Sequence, residues 1–283
     1  MAKSPSKRVP GLPAARSVVE KKVLIPKRTA RALARVRAGA PGAAAAAAAP
    51  AYTILRTNEV DPYDPPMPRS AVPPIGAPPV AAPTAARAAP VGDDFGGTAR
   101  KAAKLSIGSG KFEVFGDISD LIATLPSKTA MKKHKPKIGT DAASGRVKEE
   151  QRNVRVRAFI YAASLEADND YHVIIGRDRA KKPHVYFNIE VSGLPPKGRT
   201  SLARLKNVRN TYKTFFTHSQ VPGIHLPGMS YDFYDPPIPV EVEGSLFFDM
   251  SHANGQGPGP QSLHKDIPTI WEIHPITKIV FEP

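Results

Sequence analysis

Pro239-Val-Glu-Val-Glu-Gly-Ser-Leu-Phe-Phe-Asp249 and, after a Gly/Pro-rich loop, Trp271-Glu-Ile-His-Pro-Ile-Thr-Lys-Ile-Val-Phe281 are the two stretches on which the reading of this chain turns. Both are dense in β-branched and aromatic residues, and both read as strands. Pro275 marks a bulge or an edge position in the second. Upstream, Val154 to Leu165 is a further strand. Val154, Val156, Ile160 and Ala162 fall on one face, with Arg155, Arg157, Phe159 and Tyr161 on the other. Ala167-Asp-Asn-Asp170 is a turn, because Asp and Asn tolerate a left-handed backbone. Tyr171 to Gly176 and His184 to Val191 follow as the second and third strands.

Between the third strand and Pro239 the periodicity changes. Leu202, Leu205, Val208, Tyr212, Phe215 and Phe216 recur at helical spacing, so Ser201 to His218 is expected to be an amphipathic helix. Val221 to Pro239 reads as a loop, and its Tyr231-Asp-Phe-Tyr-Asp-Pro-Pro237 is expected to seal one end of the domain. Three strands, a helix and two strands is the element order of a five-stranded OB-like Greek-key barrel with one helix between strands three and four. A mainly β chain of that architecture is the expected fold. An α+β sandwich of similar order is the other architecture the pattern allows.

The residues before this domain differ in kind. Pro accounts for 31 positions, crowded toward the front, and the formal charge of +15 is concentrated there as well. Met1–Pro50 holds 11 Lys/Arg against the single acid Glu20. Four segments follow from this: 1–50 as a basic disordered arm, 51–100 as a Pro/Ala-rich linker, 101–150 as a transitional segment packing on the barrel, and 151–283 as the barrel itself. In the transitional segment, Lys111 to Phe115 suggests a short strand. Asp117 to Leu125 suggests a short helix with Asp117 as N-cap. The absence of cysteine excludes disulfides and thiolate metal sites. No run approaches the roughly 18 apolar residues needed to span a bilayer, and no apolar core follows the basic start. A cytoplasmic protein without a membrane span is expected.

Arg152-Asn-Val-Arg-Val, Asp168-Asn-Asp-Tyr-His172, Gly244 to Asp249 with His252, and Glu272-Ile-His-Pro275 resemble motifs of a group of uncharacterised bacterial small β-barrel proteins. The likeness runs from about Leu105 to Pro283. It implies a bacterial origin and an OB-like fold, and it implies no reaction.

Two chemistries compete for this domain. Asp168, Asp170, His172, Glu190, Asp249, His252, Glu272 and His274 are acids and imidazoles, several of them two apart in strands and therefore on one face. Should the faces converge, His172, Asp249, His252, Glu272 and His274 are the ligands for Zn²⁺, Mn²⁺ or Mg²⁺ in a metal-dependent hydrolase of the phosphodiesterase or nuclease type. Arg155, Arg157, Phe159 and Tyr161, joined by Tyr186 or Phe187, offer instead a stacking platform with cationic flanks for single-stranded nucleic acid. Arg28, Arg31 and Arg35 on one face of the basic arm would add phosphate contacts. Serine-protease-type triads, phosphate-cradling glycine loops and dinucleotide fingerprints are absent. The expectation taken forward is a non-catalytic binding or interaction module, with nucleic acid as ligand and a protein as the other candidate partner. No cofactor is expected, and the hydrolase is the alternative.

Overall fold

The computed structural model describes residues 18–27, 50–61, 92–223, 225–253 and 257–282. The chain is mainly β. Its strands are β1 (Val18–Leu24), β2 (Tyr52–Thr57), β3 (Phe112–Phe115), β4 (Asn153–Leu165), β5 (Tyr171–Gly176), β6 (Tyr186–Val191), β7 (Asp232–Phe248) and β8 (Trp271–Phe281). Among the described residues the helices are α1 (Lys101–Lys104), α2 (Ile118–Ala123), α3 (Lys128–Lys132), α4 (Leu202–Thr217) and two 3₁₀ turns, Lys148–Gln151 and His264–Asp266. None of the described helices is long and apolar enough to cross a membrane.

All eight strands join one sheet in the order β1-β2-β7-β8-β6-β5-β4-β3, and β7 pairs with β4 as well. The β3–β4 and β6–β8 pairs are parallel and the others antiparallel. Five strands were expected; the sheet has eight. Of the additional three, β3 is the short Lys111–Phe115 strand, which extends the sheet beside β4. The other two come from the stretches read as an arm and a spacer. Val18–Leu24 and Tyr52–Thr57 pair with each other, and Tyr52–Thr57 continues onto Asp232–Asp235 of β7. That pairing also explains why β7 starts at Asp232 rather than near Val240. The backbone of Tyr231-Asp-Phe-Tyr-Asp235 finds its hydrogen-bond partners on β2, about 180 residues away in sequence.

The core lies on one face of this sheet. Val154, Val156, Ala158 and Ile160 of β4 meet Val173 and Ile175 of β5, Phe187, Ile189 and Val191 of β6, Val242, Leu246 and Phe248 of β7, and Trp271 and Ile273 of β8. The helix expected at Ser201–His218 is α4, and it buries Val208, Tyr212 and Phe216 against that core. Its Phe215 stacks on Phe281 with ring centroids 3.7 Å apart. Asp117 caps α2 by accepting the Ser119 N–H at 2.9 Å, as its position before the helix implies. Ile118, Leu121, Met131 and Ile138 then join the core, so residues 101–150 pack on the sheet. The Trp271 indole N–H donates to the Pro126 carbonyl at 2.8 Å and ties α2 down.

A register shift between Ile160 and Ala162 divides β4. Up to Ile160 the even residues face the core. At the shift, Tyr161 and Ala162 both turn to the opposite face, into a second apolar cluster with Ile174, Tyr186, Phe233, Leu263 and Ile267. This second face, covered by residues 257–270, is where the polar residues of the strands gather.

Candidate metal centre

Strand periodicity builds the site. Tyr171, Val173 and Ile175 enter the core, so His172 of β5 points the other way. By the same alternation β6 presents Asn188 and Glu190, and β8 presents Glu272 and His274. Register then aligns them: His172 lies opposite Glu190, Asn188 beside Glu272, and Glu272 opposite Phe247 of β7. Asp249 and His252 follow directly after β7. Asp61, just beyond β2, reaches the same place and accepts the Gly259 N–H at 2.6 Å. Lys104 of α1 comes over the group, with its ammonium 3.6 Å from both Asp168 and Glu190. All of the histidines and most of the carboxylates are buried.

Each of the three histidines lies against carboxylates, and His252 and His274 share one arrangement. His172 Nδ1 lies 2.7 Å from Glu166 and 3.8 Å from Asp61, with the Tyr231 hydroxyl 2.8 Å from the same nitrogen. His252 Nδ1 contacts Asp249, and its Nε2 lies 3.7 Å from Asp61. His274 Nδ1 contacts Glu190, and its Nε2 lies 3.5 Å from Asp170. A histidine gripped by a carboxylate through one ring nitrogen, with the other aimed at further carboxylates, is the arrangement that orients metal-ligating imidazoles. Three sets of groups bring one ligand atom each to within 4.8 Å of one another: Asp61, Glu166 and His172; Asp170, Glu190 and His274; Asp249, His252 and Glu272. A fourth set, His172, Glu190 and Glu272, takes one member from each of the three. The sets therefore meet at a common junction.

The electrostatics record the crowding. Burial disfavours the ionised form of Asp249, but hydrogen bonding to His252 and its charge outweigh it and hold the carboxyl at about 2. Burial also disfavours protonated His252, yet Asp249 and Asp61 raise it to about 11. His274 is raised to about 9 by Glu190, Glu272 and Asp170 against its own burial. Burial pushes Asp170 well above the ordinary carboxylate range, with Asp168 adding to it. Burial and the neighbouring Glu190 raise Glu272 to about 7. Glu190 goes the other way: despite burial, His274 and Lys104 hold it well below its usual value. A group of acids kept apart by protons in this way is a group from which a divalent cation can displace those protons.

Asp249 also lines a cleft of about 170 Å³ together with Arg100, Lys104, Thr140, Phe247 and Ser251. Arg100 has a left-handed backbone, φ 49°, which costs a non-glycine residue energy and persists where the surroundings fix it. Here its guanidinium is held by both oxygens of buried Glu150 at 2.6 and 2.7 Å and lies 4.7 Å above the Phe247 ring. The cleft is thus an aromatic approach to a carboxylate of the centre, with Lys104 in its wall.

His172, Asp249, His252, Glu272 and His274, read from sequence as ligands, all come together, with Asp170 and Glu190 beside them. Asp61, Glu166 and Lys104 were not foreseen. The nucleic-acid residues are arranged differently. Tyr161, Tyr186 and Phe187 are buried, so none of them offers an open ring face. Phe159 packs against the second apolar cluster. Arg155 pairs with Glu243 at 2.8 Å, and Arg157 lies 3.6 Å from Glu241. Arg28, Arg31 and Arg35 lie outside the described residues. No family model matches the sequence, and no curated protein or solved structure matches it.

Proposed function

We propose that the chain is a metal-dependent hydrolase of phosphodiesters, carried on an OB-like barrel. The observation that carries this reading is the repeated carboxylate–imidazole–carboxylate geometry at His252 and His274, with N···O gaps of 3.7 and 3.5 Å on the side away from the gripping carboxylate. These gaps are long for a hydrogen bond. Two ligand atoms each about 2.1 Å from one tetrahedral ion stand about 3.4 Å apart, which is the spacing found. Mixed imidazole and carboxylate donors suit Zn²⁺ or Mn²⁺. The barrel reading is supported by the pairing order, in which β4, β5, β6, β8 and β7 run round to β4 again. With α4 between β6 and β7 in the chain, this order matches the one expected of an OB arrangement.

In this reading His252 Nε2 and Asp61 would hold an ion across the 3.7 Å gap between them, together with Asp249 and Glu272. A bound cation lowers the pKa of water toward neutrality and polarises a phosphoryl oxygen. The water oxygen bonds to phosphorus, the ester P–O bond breaks, the leaving oxygen takes up a proton and the attacking water gives one up. Lys104 at the cleft favours an anionic substrate, and the basic residues of Met1–Pro50 favour a polyanionic one. The experiment is hydrolysis of bis(p-nitrophenyl) phosphate and of a fluorescent oligonucleotide by the full chain, after chelation and after adding back Zn²⁺ or Mn²⁺. Turnover restored by metal and lost in His252→Ala supports the reading. Metal-independent turnover, or none with any cation, rejects it.

A further inference from the structure

We infer that the centre holds two divalent cations, the second between Asp170, Glu190 and His274; this rests on the hydrolase reading above and extends it. This set shares no residue with Asp249, His252 and Glu272, so filling one leaves the other's ligands in place. His274 and Asp170 are 0% and 1% exposed, and neither His274 Nε2 nor Asp170 Oδ2 makes a hydrogen bond among the described residues. The two atoms face each other across 3.5 Å. A buried imidazole nitrogen and a buried carboxylate oxygen left without hydrogen bonds are costly unless something between them satisfies both. A cation does so.

The junction of His172, Glu190 and Glu272 joins the sets, as a paired site requires. Two ions about 3.5–4 Å apart clamp the attacking and leaving oxygens of an in-line displacement at phosphorus. That geometry suits the phosphodiester displacement proposed above.

The test is metal stoichiometry. The full chain is stripped with chelator and titrated with Zn²⁺, with bound metal counted by plasma mass spectrometry after gel filtration. Asp170→Asn and Asp249→Asn are titrated alongside, both near-isosteric and checked for native circular dichroism. A Mn²⁺-loaded sample gives a second readout by electron paramagnetic resonance. Two equivalents in the wild type, one in each variant and an exchange-coupled Mn²⁺ spectrum are the expected results. One equivalent with an isolated-ion spectrum overturns the second site while leaving the hydrolase reading standing. No bound metal overturns both. Two equivalents retained in Asp170→Asn place the second ion elsewhere and overturn the assignment.

Discussion

Glu272→Gln should raise stability without cation, and bound cation should remove most of that advantage. Without cation, buried Glu272 is held at about 7 against an ordinary 4.5. A carboxyl whose folded value lies above its unfolded one is an asset only in acid. Its stabilising contribution is complete below about pH 4.5, falls as pH rises toward 7 and is gone above that. The interval corresponds to about 3 kcal/mol, undiminished by solvent because the side chain is buried. Glutamine cannot ionise, and its carbonyl can still accept from Asn188, which donates to Glu272 at 2.9 Å. In chelator at pH 8 the variant should therefore melt higher than wild type, by roughly 6–12 °C at ~2–4 °C per kcal/mol. At pH 4.5 the two should coincide. With Zn²⁺ at about 100 times its Kd the wild type gains about 2.7 kcal/mol and the variant, lacking an anionic ligand, gains less. Scanning fluorimetry over pH 4.5–8.5, with and without metal, checks all of this. A variant that melts lower than wild type in chelator at pH 8, or that gains as much from Zn²⁺, would refute the reasoning.

Three further outcomes follow from other parts of the molecule. Burial raises Asp232 to about 7 although Arg56 lies 3.3 Å away, so Asp232→Asn should remove a loss of up to about 4 kcal/mol between pH 4 and 7; urea melts at the two pH values that decline in parallel with wild type would contradict this. Phe216→Ala removes a ring packed 4.8 Å from Tyr212 and 5.4 Å from Tyr234 and should cost about 3–5 kcal/mol by urea midpoint, with the slope unchanged; a cost under 1 kcal/mol would mean that α4 does not close this core. Arg209 donates to the Asn169 carbonyl and side chain, both at 2.9 Å, and to Asp93, so it fixes the turn that carries Asp170. Arg209→Met should weaken Zn²⁺ binding about 10–100-fold by calorimetry without touching a ligand, and undiminished affinity would show that the turn is held by other means.

Much of the site was legible because strand periodicity is local. Once Tyr171–Gly176 and Trp271–Phe281 are strands, His172 shares a face with Ile174 and Glu272 with His274, whatever the rest of the chain does. That the two faces are neighbours depends on the parallel pairing of β6 with β8, which no local pattern encodes. Asp61 was hidden by its setting in Val60-Asp-Pro-Tyr-Asp-Pro-Pro66, where proline suggests a spacer. The signal that could have found it is just upstream. Tyr52-Thr-Ile-Leu-Arg-Thr57 has β-rich composition inside a proline-rich region, and its Tyr52 and Ile54 enter the core. Val18-Val-Glu-Lys-Lys-Val-Leu24 was masked in the same way by the basic residues around it. Lys104 gave no signal, since a lysine in a short Ala-rich helix is ordinarily a solvated one. The stacking platform failed to open for a long-range reason also: residues 257–270 cover the face on which Tyr161 and Tyr186 lie, and a sequence shows alternation without showing what covers it.

Anomalous scattering from crystals of the full chain, collected on both sides of the zinc absorption edge, puts the central claim to the shortest test. The account predicts two edge-dependent peaks. One lies about 2.0–2.2 Å from the ligand atoms of His274 and Asp170 and the other at the same range from those of His252 and Glu272. Zinc-soaked crystals whose imidazoles and carboxylates hydrogen-bond to one another or to water, with no anomalous peak between them, would contradict it.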